Sequence, residues 1–257
     1  MKNNIKVTFL GTGTSNGVPF IGCKCEVCTS TDPHDKRLRS SALIETENTR
    51  LLIDCGPDFR QQILPQPFRK IDGVLLTHIH YDHVGGIDDL RAFCALGDID
   101  VYANKHTCEG LHHNIPYCFT DHLYPGVPKL NLHSVEPHQK LHIGDFEVEP
   151  FEVIHGKLPI LGYRIGSLAY ITDMKSIEDK ELLSLKGIKT LIINGLRWDR
   201  PHHSHQLIPE AITFSKQIKA EQTYLIHMTD RAGLHAESQK RLPENVHFAY
   251  DGQILHL

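Results

Sequence analysis

Short apolar runs separated by polar turns recur along the chain, and this pattern predicts a protein rich in β-strands. Ile5–Leu10 alternates apolar and polar residues up to a glycine, and Phe146–Val153 shows a similar alternation. The other predicted strands are Ala42–Thr46, Arg50–Ile53, Gly73–Thr77, Leu168–Thr172, Thr190–Ile193, Thr223–Ile226 and Val246–Ala249.

Helical periodicity is clearest at Ile208–Ile218, where apolar residues recur at the spacing of one helix face. Weaker patterns predict helices at Ile87–Cys94, at Glu178–Ser184 with Ser176 as N-cap, and at Ala232–Leu242. No linker rich in Pro, Gly or Ser divides the chain. We therefore predict one domain over residues 1–257.

Two pairs of strand ends resemble each other. Leu51–Gly56 and Tyr170–Met174 are strands that end in Asp, whereas Gly73–His80 and Thr223–Asp230 are strands that end in His. Such echoes favour two similar halves in a layered α/β/β/α domain of the α/β class. Polar residues at the carboxyl ends of strands are where such folds build their sites.

Composition narrows the class of protein. The 257 residues include 40% hydrophobic and 23% charged residues, which is typical of a globular chain and excludes disordered and fibrous classes. A net charge of −4 and the lack of a basic run argue against an extended nucleic acid as partner. No apolar stretch approaches the roughly 20 residues that cross a bilayer, so no membrane partner is expected.

Cysteine and histidine point to metal chemistry. Three of the seven Cys lie within Cys23–Cys28, and no leader pattern is seen at the N-terminus. We therefore expect reduced thiols and a cytoplasmic location. The 19 His are an unusually high number for this length, and His is the commonest metal ligand.

The strongest motif is H-x-H-x-D-H directly after the strand Gly73–Thr77. It consists of His78, His80, Asp82 and His83. His78 and His80 project to the same side of an extended chain, so both can reach one ion, while Asp82 and His83 can face a second. Imidazole and carboxylate suit Zn, Mn or Fe better than Ca or Mg.

Three further residues extend this set because each follows an apolar strand. They are His155, Asp173 and His227. Isolated histidines elsewhere are interpreted as surface or core residues.

The motif and the strand ends resemble the metallo-β-lactamase superfamily. The resemblance implies a single-domain αββα sandwich with its site at the edge between two halves. It also implies that one ion is held by His78, His80 and His155, a second by Asp82, His83 and His227, with Asp173 bridging. Two Zn or Mn ions are the cofactors implied, and Asp82 is expected to act in catalysis as well.

The segment Cys23–Cys28 contains a C-x-C-x-x-C cluster whose three thiols can converge on one structural Zn. Together with the glycine-rich segment 11–17, it resembles the branch of PhnP-type cyclic-phosphoribosyl phosphodiesterases, close to RNase Z. In that branch a His closes the cluster three residues after the last active-site His, but this position is Asp230 here. We expect Asp230 as fourth ligand, with His235 as the competitor.

The same branch implies a His that serves as general acid or stabilises the transition state. His205 fits best, with His203 as the local rival. Arg91 matches an Arg common in the branch and is expected to bind substrate, unless it pairs with a neighbouring Asp. Lys157 is a weaker candidate for substrate binding, and Asp54 is expected to orient a ligand His from outside.

These expectations define a hydrolase with two active-site ions that attacks phosphorus in a small phosphate ester, such as phosphoribosyl 1,2-cyclic phosphate, by a metal-activated hydroxide. The alternatives are RNase Z-like cleavage of tRNA 3′ ends, and thioesterase or lactonase chemistry. A metal- or redox-sensing module is the alternative that is not an enzyme. A homodimer is compatible with the sequence.

Overall fold

In the computed structural model, which describes residues 4–120 and 124–257, fourteen strands form two seven-stranded sheets. The start of the segment searched for a leader, residues 1–3, lies outside the described residues. The strands are β1 Lys6–Gly11, β2 Ser41–Glu45, β3 Arg50–Ile53, β4 Gly73–Leu75, β5 Ile99–Ala103, β6 Leu130–Ser134, β7 Leu141–Ile143, β8 Phe146–His155, β9 Leu158–Ile165, β10 Leu168–Ile171, β11 Thr190–Asn194, β12 Gln222–Ile226, β13 Val246–Phe248 and β14 Ile254–His256.

Helices cover the outer faces of the two sheets. The α-helices are α1 Glu26–Thr29, α2 Phe59–Ile63, α3 Tyr81–Val84, α4 Lys105–Asn114, α5 Ile208–Ile218 and α6 His235–Gln239. Short 3₁₀ helices lie at Pro33–Asp35, Ile87–Leu96, Pro116–Cys118, Asp179–Leu183 and Asp230–Ala232. Among the described residues, no helix has the length and apolar character to span a bilayer.

Both sheets share one connection pattern. The first has the order β14-β1-β2-β3-β4-β5-β6, and the second β13-β12-β11-β10-β9-β8-β7. In the first sheet the pairs from β14 to β3 are antiparallel and those from β3 to β6 are parallel. The second sheet changes from antiparallel to parallel pairing at β10. The middle strand of each sheet is therefore the switch strand.

Three apolar layers account for the αββα arrangement. Leu51 and Ile53 of β3 face the layer between the sheets, while Leu52 faces the helices outside the first sheet. Ile193 of β11 packs with Phe214 of α5 in the third layer. A central strand that is buried on both faces must be apolar throughout. This confirms the predicted αββα sandwich of the α/β class.

The predicted strands are all present, and their ends shift by at most two residues. Five strands were not predicted, and they are β5, β6, β7, β9 and β14. Three of them, β6, β7 and β14, lie at or next to a sheet edge and carry exposed polar residues. These residues weaken the apolar signal on which the prediction depended.

The helix predictions were less accurate. The prediction at Ile208–Ile218 is confirmed, whereas Ile87–Leu96 and Asp179–Leu183 are 3₁₀ helices. Glu178, not Ser176, caps the latter. Of the helix predicted over Ala232–Leu242, only His235–Gln239 forms α6. The start of the predicted range belongs to a 3₁₀ turn that ends at Gly233, which has a φ of 87°. The helix α4 was not predicted.

A buried ion pair joins β2 to β3. Glu45 and Arg50 are register partners, and the Arg50 Nε donates to the Glu45 Oε1 at 2.8 Å. Arg50 also donates from Nη1 to the Pro67 carbonyl, and Lys6 lies 3.0 Å from the other Glu45 oxygen. Burial opposes ionisation of Glu45, but the hydrogen bonds from Lys6 and Arg50 outweigh it and lower its pKa.

We expect Glu45→Ala to lower the free energy of unfolding by about 3–5 kcal/mol, because it leaves the Arg50 guanidinium buried without its carboxylate. Since the folded pKa of Glu45 lies below its ordinary value of 4.5, its contribution is present above that pH and lost as pH falls through the folded pKa. Denaturant unfolding at pH 7 and at lower pH measures both effects.

The matched control is Glu237→Ala, which removes an exposed carboxylate paired with Lys240. An exposed pair contributes about 0–1 kcal/mol, so this variant should resemble the parent. Equal losses in the two variants would show that the Glu45–Arg50 pair does not stabilise the junction of β2 and β3.

Candidate metal centre

The H-x-H-x-D-H segment lies where β4 leaves the first sheet. β4 ends at Leu75, and α3 then carries Asp82 and His83. His78, Asp82 and His83 are buried, while His80 lies at the surface. The segment thus directs polar side chains inward at the carboxyl end of a parallel strand, where α/β sheets build their sites.

Three more strand ends meet this segment. His155 is the last residue of β8, Asp173 follows β10 by two residues, and His227 follows β12 directly. Asp173 and His227 adopt left-handed backbone conformations with φ values of 55° and 56°, as does Asp54 after β3 with 57°. Residues other than glycine rarely adopt this conformation, and it costs on the order of 1–3 kcal/mol per residue. Such strain clusters at functional sites.

All seven predicted ligand side chains converge in one place. Within each of the following groups the ligand atoms lie within 4.8 Å of one another: His78, His80 and His155; Asp82, His83 and His227; and His78, His83 and Asp173. The third group connects the first two. The arrangement therefore offers two adjacent sets of donors that share a carboxylate.

Groups outside the cluster fix the orientation of three imidazoles. The Nδ1 of His78 lies 3.0 Å from the Thr77 Oγ1, and the Nδ1 of His155 lies 2.9 Å from the Ser204 carbonyl oxygen. The Nδ1 of His83 lies 2.7 Å from the Asp54 Oδ2. Each Nδ1 thus has a partner outside the cluster, and each Nε2 is directed into it.

Asp54 organises this support. Its carboxylate accepts from the Thr77 backbone N–H and hydroxyl as well as from His83. The structure thus brings Asp54 to a ligand His from outside, where the sequence placed it. The roles of Thr77 and of the Ser204 carbonyl were not predicted, because a backbone oxygen carries no signal in the sequence.

The pKa shifts in the cluster favour ionised carboxylates and a neutral His78. Burial opposes ionisation of Asp82 and Asp173, but the nearby His83 and His227 outweigh it and lower both pKa values. Burial lowers the pKa of His78. Burial also disfavours the charged form of His83, but Asp82, Asp54 and Asp173 outweigh it and raise its pKa. Ionised carboxylates thus lie beside a His78 ring that favours its neutral form.

The donor set fits divalent cations. The His83 Nε2 is buried without a hydrogen-bond partner and lies 3.2 Å from a carboxylate oxygen of Asp82 and of Asp173. The His78 Nε2 and the His80 Nδ1 converge to 2.9 Å. Imidazole nitrogens and carboxylate oxygens grouped in this way are the ligands that Zn, Mn and Fe ions bind. The residues present therefore fit the ions that the fold implies.

His205 lies at this cluster, whereas His203 does not. His205 is buried, with its Nδ1 3.3 Å from the Asp173 Oδ1 and its ring 4.6 Å from that of His155. Burial lowers the pKa of His205 to about 3. His203 is exposed and stacks on His202. Of the two candidates for the acid–base role, only His205 reaches the centre.

Arg91 and Lys157, the two cations predicted to bind substrate, are both exposed. Arg91 is exposed and pairs with Asp88, the structural alternative that the sequence left open. No hydrogen bond or ion pair among the described residues connects Arg91 to the seven ligands. Lys157 is exposed in the β8–β9 turn, beside Gly156, whose added Cβ would meet Ser204 at 3.2 Å. Lys157 therefore lies near the loop that carries His205.

The cysteine cluster is assembled around Asp230. The ligand atoms of Cys23, Cys25, Cys28 and Asp230 lie within 4.8 Å of one another, and the Cys25 Sγ is 3.4 Å from the Asp230 Oδ2. All seven cysteines are free thiols. Burial raises the pKa of Cys28 to about 12.

His235, the competing fourth ligand, is occupied elsewhere. Its Nδ1 lies 3.4 Å from an Arg37 nitrogen, and its ring packs near His34. The structure thus brings Asp230, and not His235, to the three thiols.

The segment after β3 packs closely on α3 and holds the H-x-H-x-D-H segment in place, a contact that the sequence did not predict. Cys55 donates its N–H to the His83 carbonyl, and a Cβ added at Gly56 would lie 2.1 Å from the Asp82 carbonyl oxygen. Only glycine permits the segment after β3 to approach α3 so closely.

Known proteins share this architecture. Residues 49–228 match the family described as the Beta-lactamase superfamily domain. A crystal structure described as a new diphosphatase from the PhnP family superimposes with a TM-score of 0.91 at 37% identity, over 99% of this chain and 97% of that one.

Two curated relatives are longer than this chain. A protein of Porphyromonas gingivalis named octanoyltransferase is 47% identical over 96% of this chain and 51% of its own length. A ribonuclease Z of Thermosynechococcus vestitus is 32% identical over 63% of this chain and 36% of its own length. The chain thus spans about half of the first relative and about a third of the second.

The family match covers well over half of the chain and includes the H-x-H-x-D-H segment, His155, Asp173 and His227. These are the residues that the two sheets bring together at one edge. The chain belongs to the β-lactamase superfamily, the metallo-β-lactamase fold family that its sequence resembles.

Proposed function

We propose that this chain is a metal-dependent hydrolase with two active-site ions that cleaves a small phosphate ester. The observation that carries the proposal is the convergence of four His and two Asp side chains, together with the more exposed His80, on one buried edge. His78, His80 and His155 would hold one Zn or Mn ion; Asp82, His83 and His227 would hold the other, with Asp173 between them. When bound, such ions polarise a phosphoryl oxygen and lower the pKa of water.

The chain's own residues supply orientation and proton transfer. Asp54, Thr77 and the Ser204 carbonyl fix three imidazoles so that each Nε2 faces inward. His205 would hold a proton on its imidazole and transfer it to the leaving oxygen, or stabilise the charge there. A phosphate anion next to His205 favours the imidazolium form that this role needs. Asp82 contributes its carboxylate to the same site.

A phosphodiester or related bond is the favoured substrate. The 37% identical structure is described as a diphosphatase, and hydrolysis of a diphosphate or of a phosphodiester breaks a bond between phosphorus and a bridging oxygen. A small ester such as phosphoribosyl 1,2-cyclic phosphate remains the substrate we propose. The Cys23, Cys25, Cys28 and Asp230 cluster would hold a structural Zn, since it offers four protein ligands to a tetrahedral ion.

A second candidate is hydrolysis of an acyl thioester. It is favoured by the name octanoyltransferase of the 47% identical relative, although half of that relative lies outside the match. Cleavage of tRNA 3′ ends is suggested by the ribonuclease Z relatives, but the net charge of −4 opposes it. A sensing module would not need two adjacent donor sets around a shared carboxylate.

A substrate panel separates these activities. We expect the metal-loaded protein to hydrolyse bis-p-nitrophenyl phosphate and ribose 1,2-cyclic phosphate with a kcat/KM at least about tenfold above that for an octanoyl thioester or a lactone, because phosphorus presents the charge that the ions stabilise. Faster thioester cleavage would favour the second candidate. Tight, salt-sensitive binding of tRNA in a gel shift would favour cleavage of tRNA 3′ ends.

Metal content tests the two sites separately. Elemental analysis of the protein should give about two ions in the centre and one Zn in the cysteine cluster. We expect Asp173→Ala to lose ions from the centre while keeping the Zn, and Cys28→Ser to do the reverse. Cys94→Ser is the control, because Cys94 lies outside both ligand groups. A full complement in Asp173→Ala would contradict the shared carboxylate.

His205→Ala should lower kcat by about 10²–10⁴-fold on a phosphodiester with little change in metal content, because it removes the proton donor and no proposed ligand. His203→Ala is the matched control and should keep the parent kcat, since His203 is exposed and stacks on His202. An unchanged kcat in His205→Ala would remove His205 from the mechanism.

A further inference from the structure

His227 differs from the other buried imidazoles of the metal centre in how it is supported. The Nδ1 atoms of His78, His83 and His155 each have a partner outside the cluster. The Nδ1 of His227 is buried and has no hydrogen-bond partner among the described residues, while its Nε2 lies 3.2 Å from the Asp173 Oδ1. The position of this ring therefore depends on the backbone that carries it.

The backbone of His227 is itself held by the glycine-rich segment near the N-terminus. His227 has a φ of 56°, and a residue other than glycine keeps such a conformation only where its surroundings impose it. The next residue, Met228, donates its N–H to the Thr12 carbonyl at 3.1 Å and accepts from the Thr14 N–H at 3.1 Å. These two hydrogen bonds fix the chain directly after the strained residue.

A buried arginine holds this segment from the other side. Arg37 is 4% exposed, and its Nη1 donates to the Thr12 Oγ1 at 2.8 Å and to the Ala249 carbonyl at 2.7 Å. The Thr12 Oγ1 in turn donates to the Asp251 Oδ1 at 2.8 Å. Burial lowers the pKa of Arg37 to about 10, so the guanidinium remains charged at neutral pH. The Thr12 hydroxyl thus connects a buried cation to a carboxyl group.

The contact between this segment and the chain around Arg37 leaves no room for a shift. Gly13 donates its N–H to the Leu38 carbonyl, and a Cβ added at Gly13 would lie 2.8 Å from the Arg37 carbonyl oxygen. Bridges of the β type connect Gly13 to Arg39 on one side and to Met228 on the other. A displacement at Arg37 would therefore reach Met228 through a single layer of backbone.

We propose that Arg37 is a positioning residue for His227 and acts through Thr12 and Met228. The inference rests on the proposed function, because it concerns the ions of the same centre. Arg37 fixes the Thr12 hydroxyl, and the Thr12 carbonyl fixes Met228. Met228 then keeps His227 in the conformation in which its Nε2 lies 3.4 Å from the Asp82 Oδ2. In the part of the chain that the structure describes, no hydrogen bond or ion pair joins Arg37 to any of the seven ligands.

The competing explanation is that Arg37 and Asp251 only stabilise the fold, since they join the loop after β13 to the N-terminal loop. This explanation predicts that loss of the Thr12 hydroxyl affects the bound ions to the same degree whether or not His227 is present. A positioning role predicts that the effect requires His227.

Thr12→Val tests the role because it removes the hydroxyl and leaves the Thr12 carbonyl in place. The protein is loaded with Co²⁺, and a chelator withdraws the ions while visible ligand-field absorption reports the centre and thiolate charge-transfer bands report the cysteine cluster. His227→Ala identifies the ion that depends on His227. We expect the dissociation constant of that ion to rise about tenfold in Thr12→Val, since loss of a group that supports a ligand weakens metal binding by about 10–100-fold.

Two further variants serve as controls. Thr46→Val also removes a hydroxyl that donates to an aspartate, at 2.6 Å from the Asp145 Oδ2, but in loops that carry no predicted ligand. It should bind Co²⁺ like the parent. Thr12→Ser retains the hydroxyl and should restore binding to the level of the parent. Equal weakening in Thr12→Val and Thr46→Val, or in Thr12→Val and Thr12→Ser, would overturn the proposal.

A double-mutant cycle decides whether the effect passes through His227. Residues that act through one another have effects that do not add. We therefore expect Thr12→Val to change the affinity for the remaining ion by less than about twofold when His227 is already Ala. A tenfold loss in that background would overturn the proposal and assign Arg37 and Thr12 to the stability of the fold.

The metal readout separates this inference from the proposed function, because it needs no substrate. Unchanged Co²⁺ binding in Thr12→Val would overturn the inference and leave the hydrolase intact. Coupled loss of Co²⁺ in a protein whose parent cleaves no phosphodiester would support the positioning role and refute the proposed function. Circular dichroism verifies the fold of each variant. If Thr12→Val does not fold, Asp251→Asn replaces it with the same expected outcomes, since it weakens the acceptor of the same hydroxyl.

Discussion

The structure depends on charge compensation among the buried His and Asp side chains of the metal centre. Ionised carboxylates at Asp82 and Asp173 lie out of contact with bulk water, and burial of such groups is costly unless opposite charge or hydrogen bonds accompany them. His83 supplies part of that compensation, because Asp54 supports it from outside while Asp82 and Asp173 lie on its other side. A divalent cation bound by these side chains would complete it. The surrounding fold serves to bring these groups together and hold them.

The fold follows from burial on two faces. Central strands such as β3 alternate between the layer that joins the sheets and the layer under the helices, so both sets of positions are apolar. That continuous signal made these strands predictable from the sequence. The edge strand β14 gave no such signal. The pattern at Ile87–Cys94 predicted a helix but not its 3₁₀ form, which depends on tertiary contacts more than on periodicity.

The seven ligand candidates could be identified from the sequence because each occupies a strand end or the turn after one, and carboxyl ends of parallel strands meet at one edge. Of the groups that orient them, Asp54 was predicted, whereas Thr77 and the Ser204 carbonyl were not. The Ser204 carbonyl and the close approach of Gly56 to Asp82 arise from chain crossings between segments far apart in sequence.

The sheet topology explains one of the two sequence similarities between strand ends, but not the other. Asp54 and Asp173 follow β3 and β10, the strands at which each sheet changes from antiparallel to parallel pairing, and both adopt left-handed backbone. Their resemblance therefore reflects equivalent places in two similar halves. The echo between Gly73–His80 and Thr223–Asp230 does not, because β4 and β12 occupy different positions in their sheets. From the same switch position, Asp54 supports His83 from outside the donor cluster, whereas Asp173 lies within the cluster. The two halves therefore share a topology but contribute different groups to the site.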